Sequence, residues 1–189
     1  MKIDGNSIRV GNVIEHKDRL WRVVKTQHVK PGKGGAFLQT EMKDIRSGTK
    51  LNERFRSSET VERVRLEQRD HQFLFGTGED FTFMDVESFD QVSMSLEMIG
   101  EDDARYLDEG MIVNIESYEG DVIGMSLPDT VVLEIAEADA VVKGQTASSS
   151  YKPAVLSNGV RTSVPPYIES GTKVVINTVD GSYLERVKG

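Results

Sequence analysis

Cysteine is absent from the 189 residues. That excludes disulfides, thiol nucleophiles, thiol redox centres and Cys-based zinc sites. Histidine occurs three times, at His16, His28 and His71, and large aromatics are few: one Trp, five Tyr and seven Phe. Any small core therefore has few large anchors. No apolar run approaches the ~18 residues that a membrane-spanning helix needs. The amino terminus, Met1-Lys2-Ile3-Asp4-Gly5-Asn6, is polar and lacks an apolar signal core, so no membrane association and a cytoplasmic location are expected. What remains is ordinary for a folded chain, with 38% hydrophobic residues and 17 Gly. The length permits one large domain or two to three small ones.

The formal charge of -8 is unevenly spread. Residues 1–64 carry 14 Lys/Arg and 8 Asp/Glu, residues 65–127 carry 3 and 16, and residues 128–189 carry 6 and 7. A basic head suits phosphate backbones through counterion release, and an acidic body suits basic proteins.

Most apolar patterning has period two. Ser7–Ile14, Leu20–His28, Ala36–Lys43 and Thr60–Leu66 read as strands separated by Gly-rich or polar turns. They predict a small antiparallel barrel or sandwich over residues 1–64. Further strands are expected at Gln72–Phe75, Phe81–Met84, Met111–Ser117 and Val122–Leu127, with a short helix near Glu101–Leu107. Leu127-Pro128-Asp129 marks a boundary, because proline cannot continue a central strand. Thr130–Ala136, Lys173–Thr178 and Tyr183–Val187 follow as strands, with a polar loop at Gln145–Ser150.

An internal repeat supports this division. Leu107-Asp108-Glu109-Gly110 aligns without gaps on Ile168-Glu169-Ser170-Gly171, and at the same offset Val113 meets Val174, Ile115 meets Ile176 and Gly120 meets Gly181. Residues 65–127 and 128–189 then read as two copies of one all-β unit. Its size and strand count are compatible with a five-stranded OB-type barrel, a fold that commonly binds oligonucleotides.

The most informative local segment is Lys30-Pro31-Gly32-Lys33-Gly34-Gly35-Ala36-Phe37. Three glycines in four positions permit positive φ and a tight reversal, and Pro31 narrows the entry. Lys33 is thereby presented as a single amine at the tip of a slim hairpin arm, projecting roughly 20 Å at ~3.3 Å per residue. A phosphate-binding P-loop does not fit, because Gly34 rather than Ser or Thr follows Gly32-Lys33.

These residues resemble the elongation factor P family of bacterial translation factors, which is related to the hypusine-bearing eukaryotic and archaeal initiation factor. Residues 30–37 look like the family's modified loop. A more specific pattern near the carboxyl end is matched by Lys152, Ala154, Gly159, Val164-Pro165, Ile168 and Gly171, with Thr162 where Leu or Val is usual. Asp180 to Val187 is similar to the family's terminal hairpin. Gly144 to Tyr151 departs from the Gly-rich loop often found before the Lys-x-Ala of the pattern.

The resemblance implies an all-β chain of three small barrels. A KOW/SH3-like domain at 1–64 would carry the modified-lysine loop, followed by OB domains at 65–127 and 128–189 in an L-shaped, tRNA-like outline. It implies a non-enzymatic, monomeric factor without cofactor or metal. Its partners would be the ribosome, peptidyl-tRNA, ribosomal RNA and a lysine-modifying enzyme. It also implies relief of stalling at consecutive prolines. Lys33 would be extended covalently, by β-lysine or a similar group, with Pro31, Gly32, Gly34 and Gly35 shaping the loop. Lys30, Tyr183 and Arg186 are candidate RNA contacts. A common face for Tyr183 and Arg186 does not follow from spacing, and packing suits Tyr183 better. Trp21 reads as core rather than as a base-stacking platform.

Two other classes have some support in the residues. Glu101-Asp102-Asp103 and Asp108-Glu109 could imitate a metal site, but adjacent carboxylates diverge and three histidines give little support. The serines at 148–150 have no His-Asp partners. A tRNA- or RNA-binding OB protein, or an elongation factor P-like paralogue without a peptidyl-transferase role, is the alternative. Ribosome co-sedimentation and the mass of the loop peptide discriminate it.

Overall fold

A computed structural model describes residues 1–140 and 150–189 of the chain. Most of the Gln145–Ser150 loop, and of the departing stretch 144–151, lies outside them. Strand dominates. The first sheet contains β1 (Lys2–Asp4), β2 (Val13–His16), β3 (Arg19–Val29), β4 (Phe37–Asp44), β5 (Lys50–Arg56) and β6 (Thr60–Val64), ordered β1-β6-β2-β3-β4-β5. Alternation builds its core: Ile8, Ile14, Trp21, Val23, Leu38, Met42, Phe55 and Val61 form one buried cluster. Trp21 is 4% exposed, and its indole N–H donates to the His16 carbonyl at 2.9 Å, so it is a core residue.

The second sheet contains β7 (Glu67–Gly76), β8 (Asp80–Asp85), β9 (Gln91–Ser95), β10 (Ile112–Tyr118) and β11 (Asp121–Ser126), ordered β11-β10-β7-β8-β9. Two single-turn helices, α1 (Leu96–Ile99) and α2 (Glu101–Ala104), lie between β9 and β10. Ser95 caps α1 by accepting the Met98 N–H. The third sheet contains β12 (Thr130–Ala138), β13 (Lys152–Leu156), β14 (Arg161–Val164), β15 (Lys173–Asn177) and β16 (Tyr183–Arg186), ordered β14-β13-β12-β15-β16. Strand for strand this is the order of the second sheet. The repeat therefore has a structural basis: Val113 and Val174, like Ile115 and Ile176, are buried equivalents, and Gly120 and Gly181 both have positive φ.

By backbone proximity the chain divides into two compact units, Met1–Gln68 with Glu116–Gly124, and Arg69–Ile115 with Met125–Gly189. In the second unit Tyr106 belongs to one buried cluster with Ile135, Leu156, Ile168 and Ile176.

The same turn closes three hairpins. At its start Asp44, Asp85 or Asn177 accepts an N–H from the residue four positions on, and its side-chain Oδ1 accepts the N–H two positions on. The residue four positions on has left-handed φ in each: Gly48 at 74°, Phe89 at 63° and Gly181 at 73°.

Several segments differ from the sequence expectation. Ser7 to Ile14 is not one strand: Gly5–Ser7 forms a 3₁₀ turn, and β2 starts only at Val13. Strands β1, β5, β9, β13 and β14 were not anticipated. Lys33 does not cap a free two-stranded arm either. β4 pairs with β3 out to Val29–Phe37 and with β5 out to Phe37–Arg56, so a three-stranded sheet supports the loop almost to its base.

Candidate functional site

The segment joining β3 to β4 is Lys30 to Ala36. Lys30, Pro31, Gly32, Lys33, Gly34 and Gly35 are all exposed. Lys33 makes no hydrogen bond or ion pair with any described residue. Of the three glycines only Gly34 requires its lack of a side chain for backbone reasons, with φ at 110°. Gly32 and Gly35 lie outside the left-handed region with open space around them, so the positive φ that three glycines permit is used at one of them. Pro31 stands against Gly34, its Cγ 4.0 Å from where a Cβ would be. The returning leg is pinned: the Ser57 N–H and hydroxyl both donate to the Ala36 carbonyl, at 3.2 and 3.0 Å.

Cations of the first sheet without an ion pair among the described residues occur away from the loop as well as near it, Lys2, Lys43 and Arg63 among the former. Away from the loop, each of several has a carboxylate: Lys17 with Glu53 (2.8 Å), Arg19 with Asp44 (3.5 Å), Lys50 with Glu41 (3.8 Å). Lys17, then His16, hold the Glu53 carboxyl below its usual range. Lys30, Lys33, Arg54 and Arg56 are exposed and have no carboxylate within ion-pair distance among the described residues. The Arg54 guanidinium stacks on the Phe37 ring, 4.1 Å from its centroid, which fixes its plane at the foot of the loop. These four cations share the loop end of the sheet with the Glu59 carboxylate, which accepts the Arg56 N–H at 3.1 Å.

Arg54, Arg56 and Phe37 were missed as site residues because β5 was missed. Only Leu51 and Phe55 are apolar in Lys50–Arg56, although Leu51, Glu53 and Phe55 alternate with the exposed Asn52, Arg54 and Arg56. Lys30 sits one residue beyond β3, as expected from the loop.

Tyr183 and Arg186 are brought together far from this loop in sequence. Arg186 pairs with Val174 and Tyr183 with Ile176, the extra residue between them being absorbed by a bulge, so the two share a face. Tyr183 packs against the core of the third sheet, edge-on to Tyr151 at 6.3 Å. Burial, then a hydrogen bond with Tyr167, raises its phenol above the ordinary range. Arg186 remains exposed. Glu101, Asp102 and Asp103 crowd the first turn of α2. Burial, then Asp102, raises the Asp103 carboxyl. Among the described residues no three His, Asp or Glu side chains converge on a metal-sized site, and no helix is long and apolar enough to cross a membrane.

Comparison with known proteins agrees along the whole chain. Family models match in series: the elongation factor P KOW-like domain at residues 4–61, the elongation factor P OB domain at 66–125 and the elongation factor P C-terminal domain at 131–186. The elongation factor P of Parvibaculum lavamentivorans is 59% identical over 98% of this chain and 99% of its own. That of Brucella ovis is 58% identical over 98% and 100%. Among solved structures, a translation initiation factor 5A from Methanococcus jannaschii has a TM-score of 0.53 at 23% identity, covering 66% of this chain and 97% of its own. That likeness supports the fold. With an all-β chain of a KOW-like domain followed by OB units, and full-length relatives at this identity, the protein belongs to the elongation factor P family of translation factors.

Proposed function

We propose that this protein binds the ribosome in the cytoplasm beside peptidyl-tRNA and promotes peptide-bond formation at consecutive prolines. The observation that carries the reading is the apical Lys33, exposed and without an internal partner on a loop whose base is held by three paired strands. In this reading residues 1–64, 65–127 and 128–189 act as three domains. The first lies along the tRNA, with Lys30, Arg54 and Arg56 meeting phosphates while Lys33 reaches the reaction centre. A modifying enzyme extends the Lys33 amine, by β-lysine or a similar group, which lengthens its reach and adds donors.

The chemistry asked of the factor is positional. Proline attacks slowly because its nitrogen is secondary and its ring restricts approach. Holding the peptidyl-tRNA in a near-attack arrangement lowers the barrier without a protein acid or base. An ammonium near the terminal phosphates, in a site partly shielded from water, holds that arrangement electrostatically.

The test is Lys33→Ala in the full chain. Unchanged melting with loss of polyproline synthesis is expected, and equal rescue by the variant refutes the assignment. The intact mass of protein from its native host shows the modification. An unmodified Lys33 together with no ribosome co-sedimentation would favour an RNA-binding protein without this role.

A further inference from the structure

The β8–β9 turn breaks the rule set by its two counterparts. The residue four positions after Asp85 takes the left-handed φ of Gly48 and Gly181, yet it is Phe89. A bulky side chain is strained there, and glycine would reverse the chain without that strain. The ring is not buried in compensation. Phe89 is 67% exposed and Val86, on the same turn, is 39% exposed. The turn beneath is firmly built: the Asp85 carboxylate is buried, accepts the N–H groups of Glu87 and Ser88 at 2.8 and 3.0 Å, and pairs with Arg69 at 3.0 Å. Strain retained on a rigid turn to display an aromatic ring outward points to a use for that ring.

We propose that Phe89 and Val86 form an apolar knob that docks on a cationic protein surface. The sign of the partner follows from the surroundings. Residues 65–127 carry 16 Asp/Glu against 3 Lys/Arg. Asp90 follows Phe89 directly and Glu87 precedes it by two residues, and the Asp70 carbonyl accepts the Val86 N–H at 3.2 Å. Arg69 is engaged by Asp85 and Glu87. A phosphate backbone is repelled by such a rim. A Lys/Arg-rich protein surface is attracted, with the ring supplying buried area at the centre and the acids setting orientation and association rate.

This inference rests on the ribosomal reading, because the ribosome supplies the basic proteins for the test. The full chain, with Phe89 replaced by photoreactive p-benzoylphenylalanine, is irradiated on purified ribosomes carrying peptidyl-tRNA. A cross-link to a Lys/Arg-rich ribosomal protein is expected. Phe89→Gly should weaken ribosome binding by about tenfold or more, through faster dissociation, while keeping or raising the melting temperature. Phe89→Tyr should bind normally. Cross-linking to RNA, no cross-link despite co-sedimentation, or full affinity of Phe89→Gly overturns the knob and leaves the ribosomal reading standing. Failure of the unaltered protein to co-sediment overturns both.

Discussion

Gly34→Ala separates the geometry of the loop tip from the stability of the fold. Gly34 has φ at 110°, and its Cβ would meet nothing nearer than Pro31 Cγ at 4.0 Å. The penalty is therefore conformational rather than steric, about 1–3 kcal/mol for a non-glycine residue held in such a region. The surrounding residues are exposed and unpaired, so the loop escapes the strain by rearranging locally. At about 1.4 kcal/mol per tenfold, occupancy of the native tip falls roughly 5- to 150-fold. Gly32→Ala and Gly35→Ala carry no such penalty, since neither has positive φ and neither would crowd a neighbour. The assay is the rate of polyproline reporter synthesis against factor concentration. Melting followed by Trp21 fluorescence serves as the control, because that single tryptophan lies in the first core. Gly34→Ala should require correspondingly more factor at unchanged melting temperature, with the other two near wild type. Wild-type behaviour of Gly34→Ala, or an equal loss in Gly32→Ala, would show that the backbone argument is wrong.

Two further predictions concern stability. Burial opposes ionisation of Asp44, but the Ser47 and Arg46 N–H groups and the Arg19 guanidinium outweigh it, and the carboxyl sits below its ordinary 3.8. A depressed carboxyl stabilises the fold fully above the unfolded value, and that contribution is lost as pH falls through the lower folded value. Urea midpoints should therefore drop below about pH 4, and Asp44→Asn should flatten the drop, since the uncharged Asn177 already closes an equivalent turn; an unchanged slope would remove Asp44 as a source. Gly181→Ala combines left-handed φ with a Cβ 3.1 Å from Tyr106 Oη and 3.2 Å from Val160 Cγ1. It should cost about 2–4 kcal/mol from strain plus crowding. Gly120→Ala, with the same sign of φ but open space, should cost only about 1–2 kcal/mol. Equal urea midpoints for the two would discount the crowding.

The loop and the repeat were legible because their signals are local. Lys30 to Gly35 is read from residue chemistry alone, and the offset between residues 107–120 and 168–181 aligns two real hairpins. What escaped was set by pairing. β5 shows only two apolar residues and is a strand because β4 offers it an edge. β13 contains Pro153, which argues against an inner strand, yet pairing with β12 begins only at Ala154, so the missing N–H interrupts nothing on that side. The bulge that turns Tyr183 and Arg186 to one face has no mark in the spacing of those residues; it exists in the register with β15. The Arg54–Phe37 stack likewise joins residues from adjacent strands, visible only once their register is known.

The double flanking of β4 also sets where entropy is spent when the factor engages a target. An isolated two-stranded ribbon would fray and would have to be frozen along its whole length at that moment. Here the strands are ordered during folding, and only Lys30 to Ala36 is left to immobilise, at about 1–2 kcal/mol per residue before any credit for Pro31 or the Ser57 tether. Affinity is thus tuned most cheaply by the stiffness of those few residues, which stand on a strand base that folding has already ordered.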